Sequence, residues 1–230
     1  MKMSDIAKAI EEIRAELPQG VTLIAVSKTH SADCVREAYD IGVRDFGENK
    51  VQEMVQKAAE LPTDIRWHLI GHLQTNKVKY IAPFVYAIHS VDSQKLAAVI
   101  NKEALKAQRR IRCLLQVHVA QEETKTGFTP EELLAYLESG EWKTLAGVEI
   151  VGIMAMATNT DDEAQVLKEF QSVRSLFDDV KLRYFPTEDS FREVCMGMSG
   201  DYKIAVQAGA TEVRIGTKIF GMRYYPQKEQ

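Results

Sequence analysis

The stretch VTLIAVSKTH (residues 21–30) runs through six mostly β-branched or apolar residues and then delivers a lysine, Lys28, with His30 two residues on. A short apolar run of that kind reads as a strand buried on both faces. Ser31 follows as a candidate helix cap, and Gly42 ends the helix it opens. A strand followed directly by a helix is the repeating unit of a parallel sheet, since parallel neighbours need a long crossover between them. The fold therefore depends on how often this unit recurs.

It recurs along the whole chain. Residues 43–46 (VRDF) give a short second strand and 48–61 a helix. Residues 65–70 (IRWHLI) give a third strand, with a helix from about Gln74, and 84–89 (FVYAIH) a fourth, with a helix from Asp92 to about Ala107. The fifth strand, 111–119 (IRCLLQVHV), is long. Thr129-Pro130-Glu131 after it is a helix start, with a capping hydroxyl and proline at the first helical position. Residues 148–156 (VEIVGIMAM) form the sixth. Thr160 and Glu163 read as a capping box ahead of Val166, Phe170, Val173 and Phe177 on one helix face. A weaker seventh strand, 193–198 (EVCMGM), precedes a helix from Ser199 to Gln207 with Gly209 just past its end, and 212–215 (EVRI) is the eighth. Before all of these, Ser4 caps a helix with Ile6, Ile10, Ile13 and Leu17 at helical spacing, stopped by Pro18. Eight repeats favour a closed (β/α)8 TIM barrel with an extra N-terminal helix over an open doubly wound sheet. No linker or low-complexity tract divides the chain, so residues 1–230 are expected to form a single domain.

Composition narrows the setting. A net charge of −4 argues against a nucleic-acid surface, and the short basic cluster Arg109, Arg110, Arg112 reads as a solvated face. Cys34, Cys113 and Cys195 are odd in number and widely spaced, which points to a reducing compartment. The N-terminal segment carries acids throughout, and the longest apolar stretch is far short of the ~20 residues that span a bilayer. A cytoplasmic protein is expected.

Barrel active sites lie at the C-terminal ends of the strands. Lys28 ends the first strand, Ser199 and Gly200 follow the seventh, and Gly216 and Thr217 follow the eighth. In a closed barrel the eighth strand lies beside the first, so these segments should converge on one mouth. Ser199 at a helix N-terminus, together with a glycine that admits close backbone approach and a hydroxyl donor, suits a phosphate. Pyridoxal 5'-phosphate (PLP) needs both a phosphate grip and a neutral amine for its aldehyde. Burial at a barrel mouth would lower a lysine pKa from about 10.4 and supply that amine. An ordinary phosphate-ligand barrel with Lys28 as a charge contact stays open on this pattern. Arg214 shares the face of Gly216. It either meets a pyridine nitrogen, which it would leave unprotonated, or pairs with a core acid such as Glu212 or Glu149.

The segments AVSKTH, FGENKVQE, WHLIGHLQTNK, HSVD, MGMSGDY and VRIGTKIFG, in this order and across nearly the whole chain, resemble the PLP homeostasis protein family, the YggS/PROSC-like PLP-binding proteins. The resemblance implies a barrel like the N-terminal domain of alanine racemase. It further implies a mostly monomeric PLP binder without established turnover, acting in vitamin B6 and amino-acid homeostasis. Lys28 matches the family's Schiff-base lysine, Ser199, Gly216 and Thr217 its phosphate-binding positions, and Arg214 the residue facing the pyridine nitrogen. Gly200 falls in the same loop, and Asn49 matches a polar residue near the cofactor. His118 stands where asparagine is more usual, which puts local hydrogen bonding at the cofactor in doubt.

The alternative activity is amino-acid racemisation, which needs a second acid/base on the opposite substrate face. With about 14 residues after Gly216, including Tyr224 and Tyr225, no domain is expected to supply one. PLP-dependent apo-enzymes are candidate partners, and a macromolecular partner that reads PLP occupancy is a third reading. His68 and His72 would lie about 13 Å apart on one extended strand at ~3.3 Å per residue, too far to share an ion, so no metal site is expected. Residues 216–223 (GTKIFGMR) space their glycines like a P-loop but lack its lysine and hydroxyl, and no GxGxxG occurs. Met154, Met156, Met196 and Met198 read as barrel core or mouth lining.

Overall fold

The computed structural model describes residues 4–120 and 126–222. Eight parallel strands close on themselves in chain order: β1 (Thr22–Val26), β2 (Asp45–Glu48), β3 (Arg66–Leu69), β4 (Ala87–Val91), β5 (Ile111–His118), β6 (Val148–Met156), β7 (Glu193–Cys195) and β8 (Glu212–Ile215). Closure is the pairing of β8 with β1, from Thr22 opposite Glu212 to Ala25 opposite Ile215. The helices are α1 (Asp5–Glu16), α2 (Ala32–Asp40), α3 (Val51–Glu60), α4 (Val78–Ile81), α5 (Gln94–Lys106), α6 (Pro130–Ser139), α7 (Glu163–Tyr184), α8 (Tyr202–Gln207) and α9 (Thr217–Phe220). The TIM-barrel expectation and the extra N-terminal helix both hold. α1 starts where Ser4 Oγ accepts from Ala7 N–H, and α6 carries the full Thr129/Glu132 capping box behind Pro130.

Several local readings are corrected. β2 is Asp45–Glu48 rather than 43–46, and β4 is Ala87–Val91 rather than 84–89, because pairing decides the ends. Phe46 sits opposite Ala25 and Glu48 opposite Leu69, while Ala87 sits opposite His68. The helix expected from Gln74 is a 3₁₀ turn, Thr75–Lys77, followed by the single turn of α4. Thr160 and Glu163 do not form the α7 cap. Asp162 does, accepting from Ala164 and Gln165 N–H at 3.0 and 3.1 Å, because it is the residue directly before the first helical turn, and Thr160 Oγ1 accepts from Asp162 N–H instead. Arg109 donates to the Ala82 and Val85 carbonyls and Arg112 to Glu193, so only Arg110 of that basic cluster remains a solvated side chain.

Alternation along each strand sorts residues to two cores. Outward-facing residues such as Phe46, Leu69, Ile88 and Val213 pack against the helices in one large cluster. Ile24, Leu114, Val151, Met154 and Cys195 fill the interior as a smaller one. Met196 belongs to the outer cluster, so the four methionines do not share a face. The interior is also polar. Arg66 Nε donates to Asp45 Oδ1 at 2.6 Å, and His68 Nε2 meets the same oxygen at 3.0 Å. His68 Nδ1 lies 2.8 Å from His89 Nε2. Arg112 donates to Glu193 Oε1, and Thr211 Oγ1 donates to Glu193 Oε2, both at 3.0 Å. Burial alone would raise the Asp45 pKa, but the bonds from Arg66 and His68 outweigh it and bring the carboxyl down to about 2.

Gly152 shows how tightly this cylinder closes. It sits opposite Glu193 across the β6–β7 pair, and a Cβ there would stand 1.8 Å from the Glu193 carbonyl oxygen. Gly152→Ala must therefore push two strand backbones apart. The expected loss is about 3 kcal/mol or more of unfolding free energy, read from urea melts.

Candidate functional site

A cavity of about 360 Å³ opens at the C-terminal ends of the strands. Lys28, Asn49, Ser199, Gly200, Arg214, Gly216 and Thr217 all line it, brought together from four separate chain segments. Sequence reasoning missed Gln116 and Thr126 in the same wall, while Met156 and Met198 line the mouth as one of the two readings of the methionines had it, and His72 lines it too. Gln116 and Met156 lie on strand positions already read, but which face each presents follows only from register. His118 is not among the cavity's lining residues; Gln116 is the β5 contribution. Gln116 Nε2 donates to the Thr126 carbonyl at 2.5 Å and to its hydroxyl at 3.2 Å, tying β5 to the residue after the undescribed stretch. His118 itself lies within the described residues, whereas 121–125, Arg223, Tyr224 and Tyr225 lie outside them.

Lys28 stands two residues past the end of β1, half-buried. Its backbone is gripped on both sides. Lys57, buried in α3, donates to the Ser27 carbonyl at 2.8 Å, to Glu48 Oε1 at 2.7 Å and to Glu53 Oε1 at 2.8 Å. Glu53 Oε1 accepts from Thr29 N–H at 2.6 Å, and Ser27 Oγ donates to Glu48 Oε1 at 2.6 Å. Thr29 is held at φ +69°, a left-handed conformation uncommon outside glycine. A strand end followed by a strained residue would be mobile by itself; two carboxylates and one ammonium fix it. Burial pushes Glu48 up to about 7, against the downward pull of Lys57 and Ser27. The signal that could have revealed this clamp is a lysine falling on the buried stripe Val51, Met54, Lys57 of an otherwise amphipathic helix.

The opposite wall comes from the loops after β7 and β8. Ser199 is not a helix cap: α8 begins at Tyr202, and Asp201 Oδ1 takes the Met198 N–H at 2.6 Å. Ser199 Oγ instead accepts from Gly216 N–H at 3.2 Å, joining the two loops. The expected anion cradle would thus be built from two joined loops rather than one helix dipole. A Cβ at Gly216 would come within 3.0 Å of the Val26 carbonyl oxygen, so glycine permits the β8 loop to lie against β1. Gly200 has open space around it.

Arg214 is buried on β8 and lines the cavity. Its Nη2 donates to the Ala155 carbonyl at 3.0 Å, and its Nε has no hydrogen-bond partner among the described residues. Among the described residues, neither carboxylate considered for it pairs with it: Glu149 approaches Arg110 and Glu212 approaches His89, each at 3.9 Å. A guanidinium keeps its protons, so the group it offers the cavity is a fixed donor. Across the mouth, His72 Nδ1 pairs with Asp92 Oδ2 at 3.2 Å. Taken together, the cavity offers an amine, a two-loop anion cradle and a permanent donor, which fits a phosphorylated aldehyde with an acceptor nitrogen.

Comparison with known proteins agrees with this geometry. The family model described as "Alanine racemase, N-terminal domain" matches residues 2–224. A pyridoxal phosphate homeostasis protein of Aquifex aeolicus is 39% identical over 204 residues, covering 88% of this chain and 87% of that relative. The structure of PipY from Synechococcus elongatus without PLP superposes with a TM-score of 0.88 at 39% identity, over 94% of this chain and 100% of that one. The PLP-bound PipY structure gives 0.85 at 38% identity, with the same coverage. An alanine racemase of Clostridium difficile gives 0.78 at 15% identity, over 97% of this chain and 57% of that one, a likeness of fold alone.

Proposed function

From the premise that this chain belongs to the pyridoxal phosphate homeostasis protein family, we propose that it binds PLP in the barrel mouth and serves PLP and amino-acid homeostasis, holding the cofactor without turning over a substrate. Lys28 is the amine that joins the aldehyde. Ser199, Gly200, Gly216 and Thr217 hold the phosphate, Arg214 faces the pyridine nitrogen, and Asn49 contacts the ring. The observation that carries this reading is the convergence of all seven on one cavity of about 360 Å³. When bound, the group supplies an aldehyde and a conjugated ring. The chain supplies orientation, and because the Arg214 guanidinium has no proton to spare, it leaves the ring nitrogen unprotonated and the ring a poor electron sink.

The experiment is the visible spectrum of the purified protein, followed by borohydride reduction and peptide mapping. A reduced adduct on the peptide containing Lys28 supports the proposal, and a colourless preparation that ignores added PLP defeats it. Racemase assays on the PLP-loaded protein separate holding from turnover, since the alternative is an alanine-type amino-acid racemase. Arg214→Glu is expected to shift the absorption band, because a carboxyl partner favours the protonated pyridine nitrogen. An unmoved band would place Arg214 away from the ring.

Residence in the cytoplasm, a monomeric state and delivery of PLP to apo-enzymes belong to the same proposal. Cys34, Cys113 and Cys195 are free thiols, which supports a reducing compartment. Among the described residues no helix is long and apolar enough to cross a membrane.

A further inference from the structure

Beneath the cavity, one interior layer has polar atoms left over. His89 on β4, Cys195 on β7 and Glu212 on β8 are all buried, and one donor atom from each lies within 4.8 Å of the others. Among the described residues, two of these side chains carry an atom with no hydrogen-bond partner, His89 Nδ1 and Glu212 Oε2, and those atoms face each other at 3.9 Å. Buried polar atoms left unpaired are costly, so a pair of them converging on a thiol calls for an occupant.

The hydrogen-bond chain behind His89 sets its tautomer. Asp45, anchored by Arg66, accepts from His68 Nε2–H. With one proton on each ring, His68 Nδ1 is then an acceptor, so His89 Nε2 donates across the 2.8 Å between them. Nδ1 of His89 is left as a bare lone pair on the side of Cys195 and Glu212. An imidazole whose other nitrogen is tied through to a carboxylate is the usual support of a metal-bound histidine.

We propose that His89 Nδ1, Cys195 Sγ and a Glu212 carboxylate oxygen form a binding site for one zinc ion inside the barrel. Thiolate and imidazole select zinc over magnesium or calcium, and the carboxylate oxygen selects it over copper(I). Three protein ligands leave a fourth position for water. Ligand atoms on a tetrahedral zinc lie about 3.3–3.7 Å apart, so the trio closes by about one ångström on binding. Burial raises both the Cys195 thiol and the Glu212 carboxyl, so each gives its proton to solvent as the metal enters, and the resulting thiolate and carboxylate offset the dication. Two cations lie nearby: Arg112 is paired with Glu193, and Arg214, whose charge reaches His89 and Cys195, donates to the Ala155 carbonyl. None of the three ligands lines the PLP cavity, so the site is separate from it. Being closed to bulk water, it fills as the chain folds. Spacing within one strand, His68 to His72, pointed away from a metal; here the ligands come from three strands that only closure brings together.

The test is to unfold the protein with chelator, refold it with one equivalent of zinc, dialyse, and measure bound metal and the zinc K-edge absorption spectrum. The expected result is about one zinc per chain, with one Zn–S distance near 2.3 Å and the remaining shell near 2.0–2.1 Å. Glu212→Gln and Cys195→Ser should each weaken zinc by at least about tenfold, while Cys34→Ser and Cys113→Ser leave it unchanged. Absence of retained zinc, a shell without sulfur, or zinc undiminished in both ligand variants would overturn the proposal. Should the ligand variants fail to fold, the wild-type stoichiometry and sulfur shell, with the two control cysteines, decide it.

Discussion

Lys28→Ala is expected to abolish the cofactor absorption band completely and to leave no borohydride-fixed adduct. Among the residues lining the cavity Lys28 is the lysine, and the strand-end turn that carries it is fixed from behind. Lys57 cannot replace it: its ammonium is buried behind the turn against Glu48 and Glu53, and it does not line the cavity. PLP should still dock in the variant through the Ser199–Gly216 cradle, weakly and reversibly, so dialysis would remove it. A retained band in Lys28→Ala would move the linkage to another lysine and leave the mouth geometry without its central role.

Lys57→Met is expected to have the next largest effect, in two separable ways. Removing one partner of a buried ion pair costs about 3–5 kcal/mol, here felt by Glu48, while the Ser27 carbonyl keeps only its bond from His30 N–H. Because the lost contacts hold the backbone on both sides of Lys28, imine formation with added PLP should also slow, on the order of tenfold to a hundredfold. A merely structural lysine would lower the unfolding midpoint and leave that rate alone; an unchanged rate in folded Lys57→Met would refute the positioning role. Glu48→Gln probes the same clamp through pH. Burial pushes the Glu48 carboxyl up to about 7 in the folded chain, from its ordinary 4.5 when free. The folded chain therefore binds the extra proton between those values, and stability falls as pH rises through the window, by up to about 3 kcal/mol. Glu48→Gln should flatten that slope in urea melts at pH 4.5 and 7.5; a slope that survives it comes from another group.

Much of this was legible in order along the chain. The β6 segment reads as a strand over its full observed length, Val148–Met156, and Thr129-Pro130-Glu131 marks the start of α6. These elements are specified by local chemistry: alternation, a capping hydroxyl and a proline suited to the first turn. Short strands were less legible. β2 and β7 are four and three residues long, and their ends are set by which backbone lies alongside rather than by their own composition. The same reason explains Ser199, whose hydroxyl satisfies a glycine N–H seventeen residues away instead of its own helix.

By itself the sequence determined the count of β/α units, the lysine after the first strand, and the glycine and hydroxyl groups after the last two. These are local facts, written in neighbours along the chain. Only the tertiary structure decided that Gln116 rather than His118 enters the cavity, that Lys57 and Glu53 hold the turn around Lys28, and that His89, Cys195 and Glu212 meet inside. Each of those depends on strand register and barrel closure, because a shift of one residue sends every side chain of a strand to its other face.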